Sequence, residues 1–202
     1  MNLSLYLVTD RGLSRGRPLT QVVEAAVRGG VTMVQLREKA LDTRAFLAEA
    51  RALKQLLAPL GVGLVINDRV DIALACEADG VHLGQGDMPV EDARRLLPAH
   101  VFLGLSVETL AQVHAANKLP VDYLGVSPIF ATPTKTDTAR PWGVEGLRAV
   151  RALTKLPLVA IGGIHVGNAT SLREAGADGL AVVSAICAAP DPERAAAALR
   201  DA

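Results

Sequence analysis

The sequence predicts an α/β protein, a compact single (β/α)8 TIM barrel, and three observations carry that expectation. Short apolar runs alternate with longer stretches of helical periodicity, giving eight strand–helix units in 202 residues, the pattern of a parallel sheet with crossover helices. Eight units in one chain favour a closed barrel over an open doubly wound sheet, and no Gly-x-Gly-x-x-Gly follows the first strand. Polar residues gather after the strands, whereas Gly, Pro and Ala dominate before them. Barrels place their chemistry at the C-terminal strand ends, so this asymmetry is the expected one.

The units follow in order. Leu5–Val8 is an uninterrupted apolar run, as a strand covered on both faces requires, and Pro18–Arg28 is its helix. Arg28-Gly29-Gly30 ends that helix through glycines and leads into Met33–Leu36, which is followed by Thr43–Leu60. Next come Gly63–Ile66 with Val70–Glu77, Gly80–Leu83 with Val90–Leu97, and Val101–Leu105 with Glu108–Asn117. Tyr123–Val126 pairs with Val144–Leu153, Leu158–Ile161 with Val166–Ala175, and Gly179–Val183 with Pro192–Leu199. Glu77-Ala78-Asp79-Gly80 and Gly176-Ala177-Asp178-Gly179 both read as a helix end turning back into a barrel strand, a weak internal repetition. No Pro/Ser-rich linker divides residues 1–202, so one domain is expected.

Composition narrows the function classes. A formal net charge of +0 offers no general field for nucleic acid or an anionic membrane, so any anion site must be local. No apolar run approaches the roughly 18 residues of a membrane span. Met1–Asp10 lacks a basic n-region and a cleavage site, and reads as a first strand rather than a signal peptide. Cys76 and Cys187 have no metal-ligand spacing and sit among apolar residues, as buried reduced thiols of a cytoplasmic protein would. Partners are expected to be small molecules, with the existence of a homo-oligomer left open.

Three constellations carry chemistry. Gln35, Arg37 and Lys39 stand at i, i+2 and i+4, so an extended chain would point them one way as a clamp for a polyanion; the alternative is a strand end running into solvent. Asp68 and Asp87 leave the mouths of neighbouring strands. They suit Mg²⁺, a cation that takes a couple of carboxylates plus phosphate oxygens, although each could instead cap a helix. The cations beside them favour a diphosphate–Mg²⁺ site. Ile161-Gly162-Gly163-Ile164 and Val183-Ser184-Ala185-Ile186 fall on strands seven and eight, where barrels often hold a phosphate on backbone N–H groups. The loop Phe130–Asp137 flanks Lys135 with hydroxyls and reads as either a lid or a solvated loop. His82 reads as a satisfied core histidine, His100 and His114 as surface residues, and His165 as lacking a base or metal partner. Trp142 is expected to pack the base of the long loop.

With these residues assembled, the chain resembles the thiamine phosphate synthases. The likeness rests on Gln35-Leu36-Arg37-Glu38-Lys39, Ile66-Asn67-Asp68-Arg69, Gly80–Asp87, Thr132-Pro133-Thr134-Lys135, Ala160–Ile164 and Val182–Ile186, and runs from the first strand to the last. The resemblance implies a small (β/α)8 barrel that joins a hydroxymethylpyrimidine diphosphate to a thiazole phosphate, with Mg²⁺. It implies that Gln35, Arg37, Glu38, Lys39, Asn67, Ser106 and Lys135 hold the pyrimidine diphosphate, with Arg37, Lys39, Ser106 and Lys135 in the catalytic group. Asp68 and Asp87 would bind the metal, and Thr132, Pro133, Thr134, Gly163, Val183 and Ser184 the thiazole phosphate. After Ser106 the family often has a small residue and then His, whereas this chain has Val107-Glu108. Related thiazole tautomerases carry a histidine in this region that looks catalytic. A tautomerase-like isomerase and a non-catalytic phosphate-binding barrel are the alternatives.

Overall fold

The computed structural model describes residues 1–131 and 140–202, and these close into a parallel barrel in sequence order. Its strands are β1 (Leu5–Val8), β2 (Met33–Leu36), β3 (Gly63–Asn67), β4 (Gly80–Leu83), β5 (Phe102–Val107), β6 (Tyr123–Val126), β7 (Leu158–Ile161) and β8 (Gly179–Val182). Closure is made by β8 returning to β1, with Leu5 opposite Leu180 and Leu7 opposite Val182. The helices are α1 (Leu19–Arg28), α2 (Thr43–Leu57), α3 (Val70–Ala75), α4 (Val90–Leu96), α5 (Leu110–Ala116), α6 (Gly143–Leu153), α7 (Val166–Glu174), α8 (Ser184–Cys187) and α9 (Pro192–Arg200).

Several elements differ from the apolar pattern: β3 runs on to Asn67, β8 stops at Val182, and two more bear on the site. β5 runs on through Ser106 and Val107, which pair with Gly125 and Val126. A hydroxyl does not stop strand pairing, so Ser106 sits within the strand rather than after it. The four-residue α8 is too short to leave a helical period in the sequence. Some helix starts are capped by side chains: Asp42 accepts from the Ala45 N–H at 2.8 Å, and Thr109 forms a reciprocal box with Gln112.

Alternation along each strand separates two cores. Leu5, Leu7, Val34 and Leu36 face outward into the layer under the helices. Tyr6, Val8, Met33, Val65, Tyr123, Val159 and Ala181 fill the barrel interior. The chain has few aromatic residues, and its two tyrosines both stand inside the barrel. Glycines on the neighbouring strands make room for the interior rings, Tyr123 and Phe102 among them. A Cβ at Gly104 would lie 2.1 Å from the Tyr123 ring and 2.5 Å from His82 Nδ1, and one at Gly80 would lie 2.2 Å from the Phe102 ring.

Gly104→Ala should therefore lower stability by about 1–3 kcal/mol through overpacking of the interior. Gly86→Ala, where a Cβ meets open space, should change it by no more than about 0.5 kcal/mol. Urea denaturation of both variants checks this, and equal midpoints would show that the glycines do not set the interior packing.

Candidate active site

A cavity of about 440 Å³ opens at the C-terminal mouth of the barrel, and every strand contributes to its wall. That volume suits small-molecule ligands. Its lining is uneven in chemistry. Charged and amide side chains stand over β2, β3 and β4, whereas the side over β7 and β8 is made by the glycine turn, Val183 and Ser184.

β2 ends at Leu36, so Gln35 is a buried strand residue while Arg37 and Lys39 stand beyond the last rung. All three still reach the same cavity. Thr9, fully buried at the end of β1, fixes the exit: its N–H donates to the Gln35 carbonyl at 2.9 Å, and its hydroxyl accepts from the Arg37 N–H at 3.1 Å. Glu38 does not join them. Its side chain is only 4% exposed, pairs with Arg11 at 3.3 Å and does not line the cavity. Alternation sends it to the opposite face, which corrects its expected place with the pyrimidine diphosphate. Burial pushes its carboxyl above the usual range, against the pull of Arg11.

Neither aspartate is a helix cap. The N-cap position of α3 is Arg69 and that of α4 is Pro89, both without a side-chain cap bond. Asp68 has a left-handed backbone (φ 64°), a conformation that costs an L-residue roughly 1–2 kcal/mol. The Asp68 N–H donates to the His82 carbonyl at 2.9 Å, and the Asp68 carboxylate pairs with Lys39. Asp87 closes its own turn by accepting from the Gly84 N–H at 2.7 Å. The Asp87 carboxyl is pushed above the ordinary range by burial first, then by its contact and like charge with Asp68, with Lys39 opposing. Two carboxylates that meet in this way call for a proton or a cation between them.

That arrangement bears on Mg²⁺. Among the described residues, no three His, Cys, Asp or Glu side chains gather into a cage that could hold a metal by itself. Two hard-oxygen donors with a raised carboxyl between them fit a cation that completes its shell with phosphate oxygens and water.

On the far side, Gly162 and Gly163 have φ of 107° and 65°. The Phe130 N–H donates to the Gly162 carbonyl at 3.0 Å and the Ile129 N–H to the Ile161 carbonyl at 2.9 Å, so the start of the sixth loop lies along this turn. A Cβ at Gly163 would sit 2.8 Å from Phe130 Cβ and 3.0 Å from the Ala131 carbonyl oxygen. The chain's own packing therefore demands this glycine. Val183 and Ser184 line the cavity at the start of α8. Thr132, Pro133, Thr134 and Lys135 lie outside the described residues. Trp142 anchors the loop's return, its Nε1–H donating to the Ser127 carbonyl at 3.2 Å.

The cavity floor holds groups that the sequence reading missed as a set. Gln35 Nε2 lies 2.9 Å from the Tyr6 hydroxyl, Tyr6 lies 3.0 Å from Tyr123, Tyr123 lies 2.8 Å from His82 Nδ1, and His82 Nε2 lies 2.8 Å from Ser106 Oγ. Tyrosines within barrel strands were the available signal, because a buried phenol needs a partner. Asn67, the last residue of β3, lines the wall next to this floor. Glu108 also lines the cavity, whereas Val107 is fully buried. His165 proves to be the N-cap of α7, its Nδ1 accepting from the Gly167 N–H at 3.2 Å.

Asp87→Asn should remove the like charge while keeping an acceptor for the Gly84 N–H. Without added metal at neutral pH, its melting temperature should equal or exceed that of the wild type. A carboxyl with a raised folded-state pKa contributes stability that is lost as pH rises through that pKa. The variant's advantage should accordingly shrink as pH falls through that range and the wild type takes up its own proton. A variant that melted lower at neutral pH would contradict the repulsion, and scanning calorimetry across pH makes the check.

The family model described as thiamine monophosphate synthase matches residues 5–186. The thiamine-phosphate synthase of Albidiferax ferrireducens is 71% identical over 198 residues, covering 98% of this chain and 90% of that protein. The Vibrio parahaemolyticus thiamine-phosphate synthase is 55% identical, covering 95% and 94%. Among solved structures, thiamine phosphate pyrophosphorylase from Pyrococcus furiosus superposes with a TM-score of 0.91 at 40% identity, covering 99% of this chain and 95% of that one. A 3-hexulose-6-phosphate synthase, at 17% identity and a TM-score of 0.72, shares the fold alone. The whole length of the barrel, with the motifs at its mouth, thus matches one group of proteins, and the chain belongs to the thiamine monophosphate synthase family.

Proposed function

We propose that the chain acts as a thiamine-phosphate synthase, a transferase that works on small molecules. It joins 4-amino-2-methyl-5-hydroxymethylpyrimidine diphosphate to 4-methyl-5-(2-hydroxyethyl)thiazole phosphate, giving thiamine phosphate and diphosphate. Residues 1–202 serve as one catalytic domain, in the cytoplasm. One observation carries this reading: a single cavity has a cation–carboxylate wall on one side and a glycine turn on the other, with a polar floor between. No helix among the described residues is long and apolar enough to cross a membrane.

The residues of the chain divide the work. Gln35, Asn67 and Ser106 seat the pyrimidine over the floor. Arg37 grips the diphosphate through its planar fork, and Lys39 exchanges Asp68 for a phosphate oxygen, with Lys135 expected to add a further cation from the sixth loop. Asp68 and Asp87 would hold Mg²⁺, which supplies positive charge for the departing group when bound. The C–O bond to the diphosphate breaks with its electron pair leaving on oxygen, and the thiazole nitrogen gives its lone pair to the methylene carbon. Such a step draws on leaving-group electrostatics and alignment rather than a strong base. Gly163, Val183 and Ser184, with Thr132, Pro133 and Thr134 of the loop, hold the thiazole phosphate. Glu108 occupies the region where the tautomerase-like alternative would place a histidine, and the intact cation–carboxylate wall argues against a barrel that only binds phosphate.

An assay with both substrates and Mg²⁺, following diphosphate release, tests the reading. Turnover should appear only with both substrates and vanish in excess chelator. Isomerisation of a thiazole carboxylate phosphate without any diphosphate release would overturn it. In calorimetry, Arg37→Lys should bind the pyrimidine diphosphate roughly 10- to 100-fold more weakly despite its retained charge, the loss of a charge-assisted bidentate contact. Unchanged affinity would place the diphosphate elsewhere.

A further inference from the structure

The hydrogen bonds across the cavity floor have a direction. A phenol carries one proton, a neutral imidazole carries one, and an amide NH2 only donates. The link from Gln35 Nε2 to the Tyr6 hydroxyl, 2.9 Å, therefore makes the Tyr6 oxygen an acceptor. Tyr6 is 1% exposed, and its hydroxyl has Tyr123 as its other partner among the described residues, so its proton points to the Tyr123 oxygen. Tyr123 is likewise buried and, among the described residues, has His82 Nδ1, 2.8 Å away, as its remaining acceptor. Burial pushes both phenols well above their ordinary range, so each keeps its single proton.

We propose that the chain runs one way from Gln35 through Tyr6, Tyr123 and His82 to Ser106. It holds His82 as the neutral Nε2–H tautomer and turns the Ser106 hydroxyl hydrogen into the cavity. His82 Nε2 donates to Ser106 Oγ across 2.8 Å, which occupies one lone pair of the hydroxyl and leaves its hydrogen for a ligand. Tyr6 and Tyr123 are then positioning residues that act through His82. A chain running the other way would consume the Ser106 hydrogen and offer a ligand only lone pairs. The direction accordingly selects ring ligands that present an acceptor atom to Ser106. This inference rests on the proposed function only for the identity of the ring.

The test uses ligand-free, uniformly 15N-labelled protein and long-range proton–nitrogen correlation spectra of the histidine rings. His100, His114 and His165 are exposed, which sets the His82 ring apart. The His82 spectrum should show a protonated Nε2 and an unprotonated Nδ1; a protonated Nδ1 would overturn the proposal without any variant. Tyr6→Phe removes a link that does not touch His82. In that variant, folded as judged by cooperative melting, a second tautomer should appear, and kcat should fall roughly two- to ten-fold, the worth of one neutral hydrogen bond. The KM for thiazole phosphate should stay unchanged. A tautomer population identical to that of the wild type would reduce the tyrosines to packing. Because the spectra need no turnover, their failure would leave the diphosphate-release assay standing.

Discussion

A closed eight-stranded barrel must fill its interior with side chains from every strand, and the rest of this structure depends on how that space is filled. Large and small inward residues face each other across the register: His82, Gly104 and Tyr123 lie side by side on β4, β5 and β6. The glycine lets a phenol and an imidazole share one level of the barrel, with ring centroids 5.4 Å apart. Once polar aromatics occupy the centre, their hydroxyl and ring nitrogens need partners, because an unpaired buried polar group costs about 1–3 kcal/mol. Their partners are Gln35 and Ser106, both facing the mouth. The interior thus rises into the floor of the site without a break between core and cavity.

The mouth carries strong local charge on a chain of no net charge. Lys39 bonds Asp68, Asp68 crowds Asp87, and Asp87 is held by its own turn. A left-handed residue at Asp68 supports this crowding, with its N–H tied to the backbone of β4. Strain and like-charge contact persist where the surrounding structure over-determines them, and such places are drawn from functional sites. Here the neighbouring strand ends provide that determination.

The opposite wall obeys steric demands instead. The Gly162-Gly163 turn accepts backbone hydrogen bonds from the sixth loop and leaves no room for a Cβ beside Pro128 and Phe130. Trp142 and Gly143 return the same loop to the backbone of Pro128 and Ile129, at 2.9 and 2.8 Å. The start of the loop that carries the Thr-Pro-Thr-Lys motif is thereby tied to the end of the seventh strand and the glycine turn, and its return is tied to that start.

The sequence by itself determined the barrel and most of its boundaries, because buried parallel strands read as apolar runs and the helices between them as periodic ones. Leu5–Val8, Met33–Leu36, Gly80–Leu83, Tyr123–Val126 and Leu158–Ile161 match to the residue. It also placed Gln35, Arg37, Lys39, Asn67, Asp68, Asp87 and Ser106 at one mouth, since strand ends in a barrel converge whatever their separation along the chain. Tertiary structure alone decided which side chains turn inward. Alternation already assigns Glu38 to the face opposite Gln35, Arg37 and Lys39, but only the folded chain supplies Arg11 as its partner there. Gly163 reads as room for an anion, but contact with Phe130 already requires it. Tyr6, Tyr123 and His82 are 117 and 41 positions apart in their pairings, and only closure of the barrel brings their polar atoms to hydrogen-bonding distance.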